Sequence, residues 1–227
     1  MTSPLTRKAL AATQLFGALP DAALDSIASQ GIERTYKKGQ VLMHTGDPGD
    51  ALYVLVEGAV KGYVISDDGT ELIMGIIEAP AVLGEVGVGD GGPRSASIEV
   101  VQTSRVLVVT RPQFFAALGA QPALVEAYIS MLVAMVRRLQ GRTEDLVFLD
   151  LQGRVAKLLL SLVAERSEDG TSLDLKMTQG ELAAMVGGSR PSVNQVLKAL
   201  EGRGYIELDG KQVVIRDSAA LQRLAGG

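Results

Sequence analysis

Short, largely apolar runs typical of β-strands, separated by Gly, Asp and Pro turns, fill the chain between residues 34 and 110. Runs of this length at near-regular spacing predict an antiparallel β-barrel or β-roll. The predicted strands are Gln40–Met43, Leu52–Glu57, Ala59–Ser66, Glu71–Ile77, Ser95–Val100 and Ser104–Thr110. Turn signals stand at TGDPGD (45–50), EG (57–58) and SDDGTE (66–71), and a short helix over Asp21–Ser29 is predicted before the first strand.

The hydrophobic period becomes helical from Arg111 onward. A short helix is predicted over Arg111–Leu118, and Pro122 suits the first turn of a long helix that continues to about Phe148. Seven positions of this helix, six of them apolar, recur at alternating spacings of four and three: Val125, Ile129, Leu132, Val136, Leu139, Thr143 and Leu146. A helix that packs on its own domain usually has a wider apolar face, so the narrow seam favours a parallel partner helix and a homodimer.

The next segment predicts two helices, the second of which ends at a pair of glycines. Asp150 is predicted to cap a helix over Leu151–Glu165. Thr178 and Glu181 have the spacing of a capping box at the start of the following helix, which Gly187-Gly188 ends. The stretch ERSEDGTSLD (165–174) between these helices is predicted to be an exposed loop. It either contacts RNA polymerase or only connects the two helices.

Another short helix and a hairpin complete the C-terminal pattern. Ser189 is predicted to cap this helix, which has Pro191 in its first turn and runs to about Glu201. Its predicted buried face is Val193, Val196, Leu197 and Leu200, and its outward face is Arg190, Asn194, Gln195 and Lys198. YIELDGKQVVI (205–215) then predicts a hairpin with an Asp-Gly turn. Two short helices joined by a glycine turn and followed by a hairpin make a winged helix-turn-helix, so the fold class is α+β.

Composition and charge narrow the classes of protein. The chain has 227 residues, of which 47% are apolar, and it contains one His and no Cys. Because there is no Cys, disulfides, iron–sulfur clusters and thiolate zinc sites are excluded. We expect neither a metal site nor a cofactor. No apolar run reaches the length of a membrane span and no secretory signal is evident, so the expected location is cytoplasmic, away from membranes. The formal net charge of −4 requires that any DNA-binding surface be local. Such a surface is expected within 176–216, where six Lys or Arg face four Asp or Glu.

The stretch LGEVGVGDGGPRSAS (83–97) has the groups of an anion site. Five of its fifteen residues are Gly, which makes it a poor strand or helix but frees backbone N–H groups. Arg94 can fork onto a phosphate and Ser95 can donate to it, whereas the carboxylate of Glu85 suits a ribose hydroxyl. A phosphate and a sugar held side by side describe a 3′,5′-cyclic nucleotide. The alternative is that Arg94 and Glu85 pair with each other and only stiffen the loop.

The order of these segments resembles the cyclic-AMP-receptor/fumarate-nitrate-regulator (CRP/FNR) family of bacterial transcription regulators. The resemblance covers nearly the whole chain and includes LFGALPD (15–21), GDPGDALYVLVEGAVK (46–61), GE and PRSA (84–96), DLVFLDLQGRVAKLLL (145–160) and TQGELAAMVGGSRPSVNQVLKALEGRGYI (178–206). It implies a jelly-roll-like cyclic-nucleotide-binding β-roll over 1–121, a dimerisation helix over 122–149 and a winged helix-turn-helix over 150–227. It also implies allosteric control of DNA binding by the nucleotide.

The resemblance assigns roles to particular residues. Gly84, Arg94 and Ser95 would lie at the cyclic phosphate and Glu85 at the ribose 2′-hydroxyl, with Val86 and Ala96 as their neighbours in the site. Leu139 and Gln140 occupy the positions from which small polar residues of the long helix reach adenine in the cyclic-AMP receptors. Leu139 cannot hydrogen-bond a base, whereas Gln140 can bond either edge of a purine. The resemblance makes cyclic AMP the first effector to expect, whereas Leu139 and Gln140 leave cyclic GMP or another nucleotide open.

The resemblance also indicates how the protein reads double-stranded, palindromic DNA. Arg190, at the start of the helix that Ser189 caps, would read a guanine through O6 and N7. Pro191, where many relatives carry Glu, offers only apolar contact, and Gln195, where Arg is common, suits adenine. Other candidate DNA contacts are Ser192 and Asn194, together with Thr178, Gln179, Ser189 and Lys211 at phosphates. Half-sites are expected about 34 Å apart.

Two alternative functions compete with this interpretation. An enzyme on a cupin-like β-roll needs a cluster of His and carboxylate metal ligands, and His44 is the only His of the chain. The stronger alternative is a regulator of the same family that binds DNA without a small-molecule effector, or with a different anionic effector.

Overall fold

The computed structural model describes residues 3–67, 69, 71–166, 172–174, 179–209 and 212–226. Its contacts divide the chain into two compact units, Met1–Arg137 and Arg138–Gly227. The elements of the first unit are α1 (Pro4–Ala11), α2 (Asp21–Gln30), β1 (Ile32–Tyr36), β2 (Val41–Met43), β3 (Ala51–Ile65), β4 (Glu71–Glu78), β5 (Ala81–Leu83), α3 (Glu85–Asp90), β6 (Ser97–Thr110), α4 (Arg111–Ala120) and the first part of α5 (Pro122–Phe148).

The strands of the first unit form one antiparallel sheet. Its main path is β1-β6-β3-β4, with β2 paired to β6 and β5 paired to β3. The core between the sheet and the helices includes Phe16, Leu24, Phe114 and Leu124, all buried. A second cluster, which includes Leu55, Val60, Val100 and Val106, fills the rest of the unit's interior. The predicted antiparallel β-roll class is confirmed.

The two longest strands each join two predicted strands. β3 runs through the predicted turn at 57–58 because Gly58, at φ 95°, absorbs a register shift in the ladder with β6. A Cβ at Gly58 would lie 2.3 Å from the Ser104 hydroxyl, so this crossing needs a glycine. β6 likewise joins Ser95–Val100 to Ser104–Thr110, although it begins at Ser97. The predictions of separate strands were wrong because a bulge and a turn share the same sequence signal.

Helix α5 has the length predicted for it and two unlike faces. Leu124 and Met131 are buried against the first unit. On the other side Val125, Ile129 and Val136 are exposed by 37%, 56% and 55%. No single helix in the described part of the chain is long and apolar enough to cross a membrane, and only α4 and α5 together, across a 117° bend, have sufficient length and apolar composition.

The second unit is a small helical core with a sheet. Its elements after α5 are α6 (Leu151–Arg166), β7 (Ser172–Asp174), α7 (Gln179–Met185), α8 (Arg190–Gly202), β8 (Ile206–Asp209), β9 (Gln212–Ile215) and α9 (Ser218–Leu224). The sheet order is β7-β9-β8, and Asp209 pairs with Gln212 as a two-residue hairpin loop requires. Asp150 accepts a hydrogen bond from the Gly153 N–H at 2.8 Å, so the predicted cap of α6 is confirmed. The winged helix-turn-helix is confirmed, and α9 is an addition to it.

Candidate ligand site and nucleic-acid interface

The glycine-rich stretch folds as a short helix, α3, between two left-handed glycines. Gly84 at φ 79° precedes it and Gly91 at φ 73° follows it. The prediction that so many glycines make a poor helix was therefore wrong for Glu85–Asp90. Bonds from outside the helix offset the low helix propensity of glycine, as the contacts of Arg94, Arg111 and Tyr128 show below.

The segment that ends at Asp50 lines the other side of this stretch. The Arg94 N–H donates to the Asp47 carbonyl at 2.8 Å, and the Gly49 N–H donates to the Gly92 carbonyl at 3.0 Å. A Cβ at Gly49 would come within 2.3 Å of the Gly87 carbonyl oxygen, so no side chain fits there. The two segments are thus held backbone to backbone, which places Arg94 at the start of α3.

Arg94 is anchored at this point with only 3% of its surface exposed. Its Nη1 donates to the Gly84 carbonyl at 3.1 Å, and its Nη2 donates to the Ala51 carbonyl at 2.7 Å. The Asp50 carboxylate lies 3.5 Å from Nη2, and the guanidinium lies 5.4 Å from the centre of the Tyr53 ring. Burial raises the pKa of Tyr53 and Arg94 opposes that rise, so the ring stays neutral beside the cation. The guanidinium is therefore fixed in direction before any ligand arrives.

The other predicted ligand residues surround Arg94 in sequence and differ in exposure. Gly84, Glu85, Val86 and Ala96 are half-buried, and Ser95 is exposed. Gly84 cannot carry a side chain without strain, because a Cβ there would lie 2.5 Å from Arg94 Nη1. The structure thus joins Gly84 and Arg94 directly.

Two further side chains, which the sequence did not single out, also hold α3 in place. Arg111 Nε donates to the Val88 carbonyl at 2.9 Å, and the Tyr128 hydroxyl donates to the Glu85 carbonyl at 2.7 Å. Burial raises the pKa of Tyr128, and the charges of Glu85 and Asp90 raise it further, so the phenol remains a donor at neutral pH. Both braces, like Asp50 and Tyr53, come from distant parts of the sequence, so no local motif indicated them.

Leu139 and Gln140 belong to the second unit by contacts and are both exposed. Leu139 is half exposed, at 50%. The Thr143 hydroxyl, one turn further, donates to the Leu139 carbonyl at 3.0 Å. Leu146 is also exposed, whereas Leu132 is half-buried beside an exposed Val133.

Replacing Gly84 by Ala is expected to destabilise the protein by about 1–2 kcal/mol. The reason is that an L-residue at positive φ is strained and its Cβ would press on Arg94. Chemical denaturation measures the loss. Gly119→Ala is the matched control, because Gly119 lies near the end of α4 with nothing within 4 Å of an added Cβ. Equal stability of the two variants would contradict this view of the loop.

In the second unit, a glycine turn sets the angle between α7 and α8. Gly187 is left-handed at φ 64°, the Gly188 N–H donates to the Ala183 carbonyl at 2.9 Å, and the Gly187 N–H donates to the Ala184 carbonyl at 3.4 Å. This is a Schellman ending. A Cβ at Gly188 would meet Leu151 at 2.8 Å, so the turn packs closely on α6. The predicted end of the first helix at these glycines is confirmed.

The start of α8 is held by its own cap. Ser189 accepts from the Ser192 N–H at 3.2 Å, and the two hydroxyls lie 2.7 Å apart. At the other end Gly204, at φ 73°, follows the last turn. The Gly204 N–H donates to Glu201 and the Tyr205 N–H to Leu200, the same ending as that of α7.

The two faces of α8 are close to the prediction. Val193, Leu197 and Leu200 are buried and Val196 is half-buried. Exposed residues among the predicted DNA contacts are Gln179, Ser189, Arg190, Pro191 and Gln195, with Lys198 beside them, while Ser192 and Asn194 are half-buried. Thr178 and Lys211, two predicted phosphate contacts, lie outside the described residues. The predicted capping box depends on Thr178 and so also falls outside them.

Comparison with known families matches both units. A model of the cyclic nucleotide-binding domain matches residues 33–121, and a model of the Crp-like helix-turn-helix domain matches residues 153–224. The first match contains every predicted ligand residue of the glycine-rich stretch. The second contains every predicted DNA contact.

Individual relatives extend over nearly the whole chain. The CRP-like cAMP-activated global transcriptional regulator of Mycobacterium tuberculosis is 33% identical over 95% of this chain and 98% of its own. The Cyclic AMP receptor protein of Thermus thermophilus is 29% identical over 94% and 97% of the two chains. The structure of the c-di-GMP Responsive Global Regulator CLP of Xanthomonas campestris aligns with a TM-score of 0.74, over 86% and 99% of the chains, at 23% identity.

Proposed function

We propose that the protein is a cytoplasmic homodimer under the control of a cyclic nucleotide. The starting point is its family: the chain belongs to the CRP/FNR family of DNA-binding transcription regulators. The nucleotide, cyclic AMP in the first place, binds in the β-roll and changes the affinity of the winged helices for palindromic DNA. The family is not enzymatic, so the ligand is an effector and not a substrate.

The observation that carries the effector proposal is the placement of Arg94 at the start of α3. A buried guanidinium, fixed by two carbonyls, places a positive charge at the glycine turn that precedes α3. Charge-assisted, forked bonds from arginine suit a phosphate diester. Ser95, exposed one residue on, adds a hydroxyl donor, and Glu85 supplies the acceptor for a ribose hydroxyl.

Asp50 bears on the strength of this site. Its carboxylate is largely exposed and lies within 3.5 Å of the buried Arg94 Nη2. A phosphate that approaches Arg94 competes with this carboxylate for the cation. The site therefore binds its anion by exchange of partners, and not by filling an unsatisfied charge.

The homodimer is supported by the apolar stripe along α5. Val125, Ile129, Val136, Leu139 and Leu146 of the predicted seam are exposed in the single chain, with Val133 beside them. Burial of such side chains contributes about 1.5–3 kcal/mol each. A parallel pair of α5 helices buries them and keeps Thr143 as the one polar seam position.

Recognition of the nucleotide base is assigned to Gln140, whose side-chain amide can hydrogen-bond either edge of a purine. Leu139 offers no such bond, so cyclic GMP is retained beside cyclic AMP. The alternative proposal, a regulator with no effector or another anionic one, draws on the Xanthomonas relative, a c-di-GMP responsive regulator. Calorimetric titration with cyclic AMP, cyclic GMP and cyclic di-GMP tests these proposals, and absence of binding by all three would favour a regulator with no effector or with an anionic effector other than these nucleotides.

The apo dimer is expected to have substantial DNA affinity of its own. Leu139 adds an apolar seam position with no ligand bound, and even part of its burial energy moves a two-state equilibrium several-fold to about tenfold. Gel-shift titration of operator DNA with and without cyclic AMP measures the difference. A ligand effect of about 10³-fold or more would contradict the contribution of Leu139.

DNA recognition is assigned to the exposed start of α8. Arg190 reads a guanine, Pro191 contacts a thymine methyl, and Gln195 favours adenine. Ser192 and Asn194 supply further contacts, and Thr178, Gln179, Ser189 and Lys211 bind phosphates. A contact of the 165–174 segment with RNA polymerase remains part of the proposal.

A further inference from the structure

Tyr128 stands between the two functional features of the first unit. It lies on α5, three residues after Val125 and next to Ile129, both on the exposed apolar stripe. Its own side chain points the other way, toward α3, where the hydroxyl donates to the Glu85 carbonyl at 2.7 Å. One residue thus joins the helix of the proposed dimer seam to the short helix of the proposed ligand site.

The packing around Tyr128 leaves its ring little freedom. The ring meets the buried Phe114 edge to face, with centres 5.3 Å apart. Its hydroxyl fills the space over Gly89, where an added Cβ would lie 2.0 Å from the oxygen. The absence of a side chain at position 89 is therefore what admits the phenol to the Glu85 carbonyl.

Helix α3 is held by side chains near both of its ends. Arg94 holds the Gly84 carbonyl before its first residue, and Arg111 holds the Val88 carbonyl near its end, at 3.1 and 2.9 Å. The hydrogen bond from Tyr128 to the Glu85 carbonyl joins α3 directly to α5. A shift of the Gly84–Arg94 contact therefore reaches α5 through the Glu85 carbonyl.

We propose that Tyr128 is the positioning residue that couples α3 to the seam helix within one protomer. This inference rests on the proposed function, since it names the regulation of the same site. This route runs through the phosphate site and is separate from the base contact assigned to Gln140. Occupancy of the phosphate site is transmitted by the backbone of Glu85 to the turn of α5 that carries Val125 and Ile129.

A double-mutant cycle tests the coupling of α3 to α5 through Tyr128 in the absence of ligand. Tyr128→Phe removes the hydroxyl and keeps the ring on Phe114. Gly89→Ala expels the hydroxyl, because the new Cβ would lie 2.0 Å from the hydroxyl oxygen. The same Cβ lies 3.2 Å from the ring atom Cζ, so most of the conflict disappears once the hydroxyl is removed. Each single variant of the full-length protein is expected to raise amide hydrogen exchange over 122–137 about 2- to 10-fold, and the double variant no further than Tyr128→Phe alone.

Two results would overturn the inference in this arm. One is unchanged exchange over 122–137 in Tyr128→Phe. The other is a Gly89→Ala effect on α5 that is as large in the Tyr128→Phe background as in the parent protein. Tyr36→Phe is the matched control, since Tyr36 is a half-buried tyrosine of β1, and it should leave α5 unchanged.

A second arm uses cyclic AMP and operator DNA. Tyr128→Phe is expected to reduce the ratio of DNA affinities with and without cyclic AMP about 2- to 10-fold, measured at a cyclic AMP concentration that saturates each protein. An unchanged ratio would overturn the inference while leaving the proposed function intact. Failure of the parent protein to bind cyclic AMP, cyclic GMP or cyclic di-GMP would instead count against the proposed function. The hydrogen-exchange measurement alone would then decide whether Tyr128 couples α3 to α5.

Discussion

Arg94→Gln is expected to weaken cyclic AMP binding about 10- to 150-fold. Hydrogen bonds to charged groups contribute about 1.5–3 kcal/mol, and each 1.4 kcal/mol changes affinity about tenfold. Glutamine keeps a donor that can reach the Gly84 or Ala51 carbonyl, but it brings no charge to the phosphate. Calorimetric titration of each variant with cyclic AMP measures the change.

Two further variants separate charge from general damage to the β-roll. Arg94→Lys retains the charge without the fork and should fall between the parent protein and Arg94→Gln. Arg105→Gln removes another arginine of the same sheet, paired with Glu57 at 2.7 Å, and should bind cyclic AMP normally. Thermal unfolding checks that all three variants are folded at the temperature of titration. A folded Arg94→Gln that binds cyclic AMP within about threefold of the parent protein would remove Arg94 from the site.

Arg190→Ala is expected to abolish the preference for one guanine in each DNA half-site. A forked bond from arginine to guanine O6 and N7 discriminates by about 1–3 kcal/mol per half-site, and the exposed Arg190 begins the helix from which such contacts are made. The measurement compares the site selected by the parent protein from a randomised palindromic library with the same site changed at that guanine. The variant should bind the two sites about equally.

Arg203→Ala is the control for this experiment, because Arg203 is an exposed arginine at the opposite end of α8. It should retain the guanine preference. If Arg190→Ala lost affinity equally for all sites, Arg190 would be a phosphate contact, and the specificity assigned to it would be wrong.

Some elements were predictable because a local signal fixes them. Pro122 and the apolar period indicated the bounds of α5, and Ser189 with Gly187-Gly188 indicated the start of α8 and the end of α7. Other elements have no such signal. β1 is almost wholly exposed, so its residues show no alternation, and β5 and α9 are too short for a period to show.

The ligand site shows the same division. Gly84, Glu85, Arg94 and Ser95 stand within twelve residues and carry recognisable chemistry, so the sequence alone could propose them. Asp50, Tyr53, Arg111 and Tyr128 reach the site only through tertiary packing, and their individual residue types indicate nothing. The helix at 85–90 was missed because glycine content argues against it, while the bonds that hold it come from those distant residues.

The measurement that tests the central claim most directly is operator binding as a function of cyclic AMP concentration, in the parent protein and in Arg94→Gln. We expect the operator affinity of the parent protein to change with cyclic AMP, by less than about 10³-fold, with a midpoint at the calorimetric dissociation constant. Arg94→Gln should keep the operator affinity of the apo protein and lose the response at the same concentrations. Operator affinity that is indifferent to cyclic AMP and cyclic GMP in the parent protein, or an equal response in Arg94→Gln, would contradict the claim.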